Sequence, residues 1–61
     1  MEIEFFAPEY AIVVNKIIAV GKGIWIDEKQ DWKAVIILES GKHIYTDELF
    51  EDVVKRLKDL P

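Results

Sequence analysis

Hydrophobic and polar positions follow two different periods between residues 32 and 60. From residue 32 to residue 39, apolar residues occupy both faces of an alternating pattern, which predicts a strand in mid-sheet or at a subunit contact. Ser40-Gly41-Lys42 then supplies a glycine that can take positive φ, and residues 43–46 resume an extended pattern. The pattern predicts a tight antiparallel hairpin at this turn.

An amphipathic helix is predicted from about residue 47 to residue 60. Thr46 or Asp47 is expected to cap its first turn, where acidic side chains also suit the helix dipole. One helical face carries the apolar residues Phe50, Val53, Val54, Leu57 and Leu60. Because an isolated helix of this length is marginal in water, we expect Phe50, Val53 and Leu57 to pack on the sheet.

The first half of the chain reads as further strands. Apolar and polar residues alternate weakly over residues 1–6, and Pro8 ends this strand. The β-branched run over residues 10–19 is interrupted at Asn15, which marks either a bulge or a turn. Gly21 and Gly23 predict a bent strand before the polar loop 27–31. The sequence therefore predicts an α+β fold in a single domain, 1–61. It has four or five antiparallel strands in meander order within residues 1–46 and one C-terminal helix on one face.

Length and composition favour self-association. The chain has 61 residues, 51% of them hydrophobic, and no cysteine to staple a small core. A homo-oligomer is the expected state, with a larger protein as a second kind of partner. The expected contact residues are the side chains of the apolar strands and their aromatic neighbours: Trp25, Trp32, Val35, Ile37 and Tyr45. The two tryptophans flank one loop and are interpreted either as sheet packing or as an exposed anchor.

Charge narrows the classes of partner. A net charge of −4 argues against nucleic acid as the main ligand. Two alternatives stay open. One is weak nucleic-acid binding by a sheet face that carries Lys16, Lys22, Lys33, Lys42, Trp25 and Tyr45. The other is an acidic inhibitor that blocks a basic surface of its partner through Glu2, Glu4, Asp27, Glu28 and Asp31.

The sequence offers little chemistry for catalysis. His43 is the only histidine and stands beside a predicted turn rather than in a cleft, and no Cys/His cluster is present. We therefore expect no catalytic, cofactor-binding or metal-binding residue, and a protein that is not an enzyme. No basic leader and no apolar run of about 18 residues occurs, so no membrane span and a cytoplasmic location are expected.

The order of several features resembles one family of small proteins. These features are an apolar strand ending near Asn15, the pair Ile17-Ile18, the Ser40-Gly41-Lys42 turn, Ile44-Tyr45, Glu48 and a helix with Val53-Val54. Over roughly residues 10–57 they resemble the FlbD-type (SwrD-like) small bacterial motility proteins. The resemblance implies a sheet followed by a helix and a role in motility. Independently of it, the apolar content without a catalytic set predicts a non-enzymatic interaction or accessory module.

Overall fold

The computed structural model describes residues 2–60, which form five strands and one α-helix. Their bounds are β1 (Ile3–Phe6), β2 (Tyr10–Val13), β3 (Ile17–Ile26), β4 (Asp31–Leu38), β5 (His43–Leu49) and α1 (Phe50–Lys58). The predicted α+β class with one C-terminal helix packed on antiparallel strands is confirmed. The strands fall into two sheets, a β1–β2 hairpin and a three-stranded sheet in the order β3-β4-β5.

The turns follow the local chemistry of the sequence. A turn at residues 7–9, with a cis peptide bond between Ala7 and Pro8, joins β1 to β2. Asn15 lies in a short 3-10 turn, Val14–Lys16, between β2 and β3, so the alternative of a turn is the correct one. Gly41 has φ +91° at the end of β4, and the predicted hairpin there is confirmed.

Two irregularities bend β3 where it pairs with β4. The register shifts between Ile17 and Ala19 and again between Lys22 and Ile24, so one extra residue is inserted at each place. A Cβ added to Gly23 would meet Cδ1 of Tyr45 at 3.0 Å, which shows why glycine occupies the second bulge. The predicted bend is therefore present.

The hydrophobic core lies on one face of the three-stranded sheet. The hairpin and the helix both cover this face, and the buried core residues are Phe6, Ile12, Ala34, Ile36, Ile44 and Val53. Phe50 and Leu57 are partly buried and pack against this cluster. The predicted orientation of the helix is confirmed, because Val53, Phe50 and Leu57 all face the sheet.

The start of the helix differs from the prediction. Residues 47–49 belong to β5, the helix begins at Phe50, and its N-cap Leu49 makes no side-chain cap bond. Thr46 is buried and donates its hydroxyl to the carbonyl oxygen of Ala34 at 2.9 Å. The expectation that Thr46 or Asp47 caps the helix was wrong because strand contacts already use both residues.

Arg56 joins the helix to the other elements. Its guanidinium donates to Glu48 Oε1 at 2.7 Å, to Glu4 Oε1 at 2.9 Å and to the Phe5 carbonyl at 2.6 Å. It also lies over the ring of Phe6, 4.5 Å from the centroid. The hydrogen bond to Glu4, and then that to Glu48, raises the pKa of the guanidinium, while partial burial lowers it. Arg56 thus fastens β1 and β5 to the helix.

Candidate interaction surface

The face of the three-stranded sheet opposite the helix is the main candidate site, and we term it the outer face. Register and strand alternation determine its members, since paired residues share a face. They are Ala19, Gly21, Ile24, Ile26, Asp31, Lys33, Val35, Ile37, His43, Tyr45 and Leu49. The core residues of β4 and β5 lie on the other face, so neither the helix nor the hairpin covers these side chains within residues 2–60.

The centre of the outer face is apolar and partly open to solvent. Tyr45 is 52% exposed and Ile24 is 48% exposed, whereas Val35 is only 7% exposed. Val35 is shielded because the backbone of Gly23 and the ring of Tyr45 lie against it. A Cβ built on Gly23 would come 3.1 Å from Cβ of Val35 and 3.0 Å from Cδ1 of Tyr45. The outer face therefore presents Ile24, Ile37 and Tyr45 rather than Val35.

An ion pair neutralises the charges closest to this centre. The Lys33 ammonium contacts Asp47 Oδ1. Lys33, first by its hydrogen bond and then by its charge, holds the pKa of the Asp47 carboxyl below its ordinary value. Both side chains remain partly or largely exposed, so the pair is a weak contributor to folding, but the two charges neutralise each other beside the apolar centre.

The two tryptophans lie elsewhere. Trp25 pairs with Trp32 across β3 and β4, and their rings meet edge to face with centroids 5.2 Å apart. Trp32 alternates with Lys33 and so shares the face of Ala34, opposite the outer face. Trp25 is 45% exposed, and its Nε1 donates to Asp27 Oδ1 at 2.6 Å. The pair is thus a cross-strand packing contact with one half-exposed ring.

The five predicted contact residues consequently fall into two groups. Val35, Ile37 and Tyr45 share the outer face, and Trp25 and Trp32 form a separate pair on the other side of the sheet. Ile24 belongs to the outer face but was not predicted to do so, because uninterrupted alternation along β3 places Ile24 and Gly21 on different faces of the sheet. The second glycine of Gly21-x-Gly23 is the signal for a bulge that reverses the faces after it.

The residues proposed for nucleic-acid binding do not form one surface. Lys16 pairs with Glu39 at 2.9 Å, and Lys33 pairs with Asp47. Lys22 lies above the ring of Phe50, 5.7 Å from its centroid, on the helix side of the sheet. These lysines are dispersed over both faces and are partly neutralised, so the single cationic sheet face that this alternative requires is not formed.

The residues proposed for acidic blocking are likewise separated. Glu4 is held by Arg56 on the hairpin. Asp27, Glu28 and Asp31 surround the turn between β3 and β4, where Asp27 accepts from Trp25 and Asp31 accepts from the amide of Trp32. Glu4 on the hairpin and the acidic residues around the turn between β3 and β4 therefore do not form one continuous patch.

His43 lies at the exposed beginning of β5. Its Nδ1 is 3.0 Å from the carbonyl oxygen of Gly41, which fixes the ring beside the turn. In the part of the chain that the structure describes, residues 2–60, no three histidine or carboxylate side chains are grouped so that they would hold a metal ion. The same residues include no helix with the length and hydrophobicity needed to cross a lipid bilayer.

Comparison with known proteins adds no family to this description. No protein-family model, curated protein or solved structure matches the chain. The resemblance to the FlbD-type family, and the motility role that it implies, stay predictions.

Proposed function

We propose that this protein is a non-enzymatic interaction module that self-associates through its outer face. The observation that carries the proposal is a sheet face whose exposed centre is apolar, with Ile24 and Tyr45 about half exposed and no covering element within residues 2–60. Contiguous apolar surface of this kind is typical of interaction sites.

A second copy of the chain is the occupant that the charges favour. A chain of net charge −4 repels its own copies, so a self-association surface must be locally neutral. The centre of the outer face meets this condition, because Ile24, Ile37 and Tyr45 are uncharged and Lys33 and Asp47 neutralise each other beside them. Asp31 lies farther away, at the end of the face next to the turn between β3 and β4. Two outer faces related by a twofold axis bring apolar centre against apolar centre.

The size of the face sets the expected strength. Three strands spaced about 4.8 Å apart and about eight residues long form a surface on the order of 400 Å² per copy. Interfaces this small lie at the weak end of the range for specific complexes, below about 1,200 Å² in total. We therefore propose a dimer that exchanges with monomer as the concentration changes. Surfaces outside the outer face stay available to a larger protein partner.

Sedimentation equilibrium of the full chain from about 10 μM to about 1 mM tests the proposal. The wild-type mass is expected to rise with concentration. Ile37→Asp and Ile24→Asp each place a charge on the outer face and are expected to hold the protein at monomer mass. Ile24 is half exposed, so its substitution tests the contact even if Ile37→Asp reduces folding.

Phe5→Asp is the matched control. Phe5 is 72% exposed on the hairpin, on the side of the molecule that carries the helix, so the same change of chemistry leaves the outer face intact. This variant is expected to associate like the wild type. A wild-type protein that stays monomeric at the highest concentration, or equal association of all three variants, would contradict the proposal.

A further inference from the structure

One edge of the three-stranded sheet has main-chain groups that no residue between 2 and 60 pairs with. The amide of Leu38 donates to the Lys42 carbonyl at 2.9 Å, and the amide of Gly41 donates to the Leu38 carbonyl at 2.8 Å. Since hydrogen-bonded and non-bonded pairs alternate in an antiparallel ladder, this turn directs the main-chain groups of His43 and Tyr45 away from β4. They form the open edge of β5.

The tip of the β1–β2 hairpin closes this edge at its far end. The next outward amide of β5, that of Asp47, donates to the carbonyl oxygen of Ala7 at 2.7 Å. This bond shows that the outward row of β5 is oriented to pair with another segment. It also limits the open part of the edge to His43 and Tyr45.

A groove runs beside the open edge, between β5 and β2. It has a volume of about 370 Å³ and an apolar lining formed by Tyr10–Val13, Leu38 and Ile44. The amide of Val14 donates to Glu2 within the β1–β2 ladder, so alternation directs the main-chain groups of Ala11 and Val13 away from β1. Both residues line the groove. Among residues 2–60, the groove is therefore bordered by two strand edges whose main-chain groups have no partner strand.

Two lysines give the groove a positive end. Lys16 and Lys42 both line it. Lys42 makes no ion pair with any residue between 2 and 60, and Lys16 pairs with Glu39 in an exposed contact that a competing carboxylate can replace. On a protein of net charge −4, this local excess of positive charge favours an anionic ligand.

We infer that the open edge of β5 and this groove bind an extended acidic peptide by β-strand addition. The peptide main chain pairs with His43 and Tyr45, which supplies affinity without regard to sequence. Alternate side chains of such a strand face the groove, so an apolar one enters its apolar part while a carboxylate two residues away on the same face meets Lys16 and Lys42 at its positive end. Because Ala7 occupies the edge at Asp47, about four peptide residues are accommodated in the ladder. This site is separate from the outer face, and the inference does not depend on self-association.

Amide hydrogen exchange of the free protein, measured by NMR, tests the open edge. The amides of His43 and Tyr45 are expected to exchange rapidly. Those of Ile44, which faces β4, and of Asp47, which donates to Ala7, are expected to be protected. Protection of all four amides that weakens on dilution would show that β5 pairs with a second copy, and would overturn the inference.

Binding is tested with the blocked hexapeptide acetyl-Glu-Thr-Val-Thr-Glu-Thr-amide, whose Glu and Val side chains share one face of the strand, titrated by calorimetry and by NMR. We expect it to bind, to slow exchange at His43 and Tyr45, and to shift the signals of Ile12 and Ile44. The same peptide with lysine in place of glutamate tests the charge. A version N-methylated at alternate residues tests the main-chain bonds. Both are expected to bind at least about tenfold more weakly.

The variant Lys42→Glu is expected to lower the affinity for the acidic peptide by about tenfold or more. Lys29→Glu is the matched control, because Lys29 lies at the turn between β3 and β4, at the opposite end of the sheet from Lys42. The affinity of the Lys29→Glu variant for the acidic peptide is expected to stay within about twofold of that of the wild type. Equal affinity for the acidic and lysine peptides, equal losses in the two variants, or no binding at about 1 mM peptide would each overturn the inference.

Discussion

The ring of Tyr45 lies directly against the backbone of Gly23, two strands away across the outer face. A Cβ built on Gly23 would come 3.0 Å from Cδ1 of Tyr45 and 3.1 Å from Cβ of Val35. An aromatic ring that covers a glycine in the same sheet replaces the side-chain packing that the glycine lacks. This contact buries Val35 and fixes the place where β3 bends.

Gly23→Ala is therefore expected to destabilise the protein by about 1–3 kcal/mol, because Cβ of Val35 is attached to the backbone and cannot move aside. Gly21→Ala is the matched control. Its Cβ would meet only Cγ1 of Val35, at an ordinary 3.4 Å, so its stability is expected to stay within about 1 kcal/mol of the wild type or to rise. Urea denaturation of both variants measures the difference. Equal midpoints would show that Tyr45 does not pack on Gly23.

The same glycine marks the limit of what the sequence predicts about the outer face. Alternation along β4 correctly groups Val35 with Ile37, since the extra residues at each register shift lie in β3 or β5 and β4 itself alternates without interruption. In β3 the extra residue at Gly23 reverses the faces, so Ile24 moves to the outer face and Trp25 to the other one. Two glycines indicate that a bend occurs, but the partner strand determines which residue is unpaired.

The boundary between β5 and the helix shows a similar limit. The apolar spacing from Phe50 to Leu57 predicts the helix and its buried face, because that pattern depends on local geometry alone. Its first residue depends on distant partners. Ala7 accepts the amide of Asp47, Ala34 accepts the hydroxyl of Thr46, and both bonds keep these residues in the strand. The groove beside β5 could not be predicted either, since it arises only where β2 approaches a strand 30 or more residues away in sequence.

Arg56→Lys is expected to lower the free energy of unfolding by about 1–2 kcal/mol. A single ammonium cannot reproduce the planar fork that serves Glu4, Glu48 and the Phe5 carbonyl together. This loss in the free energy of unfolding is smaller than that expected for a fully buried network, because the guanidinium and both carboxylates are partly exposed. Thermal and urea denaturation measure the loss.

Lys55→Gln serves as the control for the Arg56 variant. Lys55 is exposed on the same helix and forms no ion pair with residues 2–60, so a change below about 0.5 kcal/mol is expected. Glu4→Gln combined with Arg56→Lys is expected to cost less than the sum of the two single changes, because both act on the same contact. Strict additivity would mean that the Arg56–Glu4 bond contributes nothing to the attachment of β1.

Thr46→Val is expected to destabilise the protein by about 1–3 kcal/mol despite its nearly identical shape. The buried hydroxyl of Thr46 donates to the Ala34 carbonyl at 2.9 Å and accepts from the amide of Glu48 at 3.3 Å, and valine leaves both groups without that partner. Thr46→Ser keeps the hydroxyl and removes one methyl group, with an expected cost of about 0.8 kcal/mol. β5 is irregular here, because its register with β4 shifts between the pairs Val35–Tyr45 and Lys33–Leu49. If the valine variant is as stable as the wild type in urea, the hydroxyl is not needed to hold this part of β5.

The pairing of Asp47 with Lys33 predicts one pH-dependent effect. Lys33 lowers the pKa of Asp47 in the folded state, so the carboxylate contributes stability above its unfolded pKa of about 3.9 and loses it as pH falls through the lower folded value. Asp47→Asn removes this contribution. Its melting temperature is expected to lie slightly below that of the wild type at pH 6 and to converge with it below about pH 3. Glu28→Gln, in the exposed turn between β3 and β4, is the matched control, and its melting temperature is expected to stay close to that of the wild type at both pH values. A constant difference between Asp47→Asn and the wild type from pH 2 to pH 6 would show that the ion pair does not form in solution.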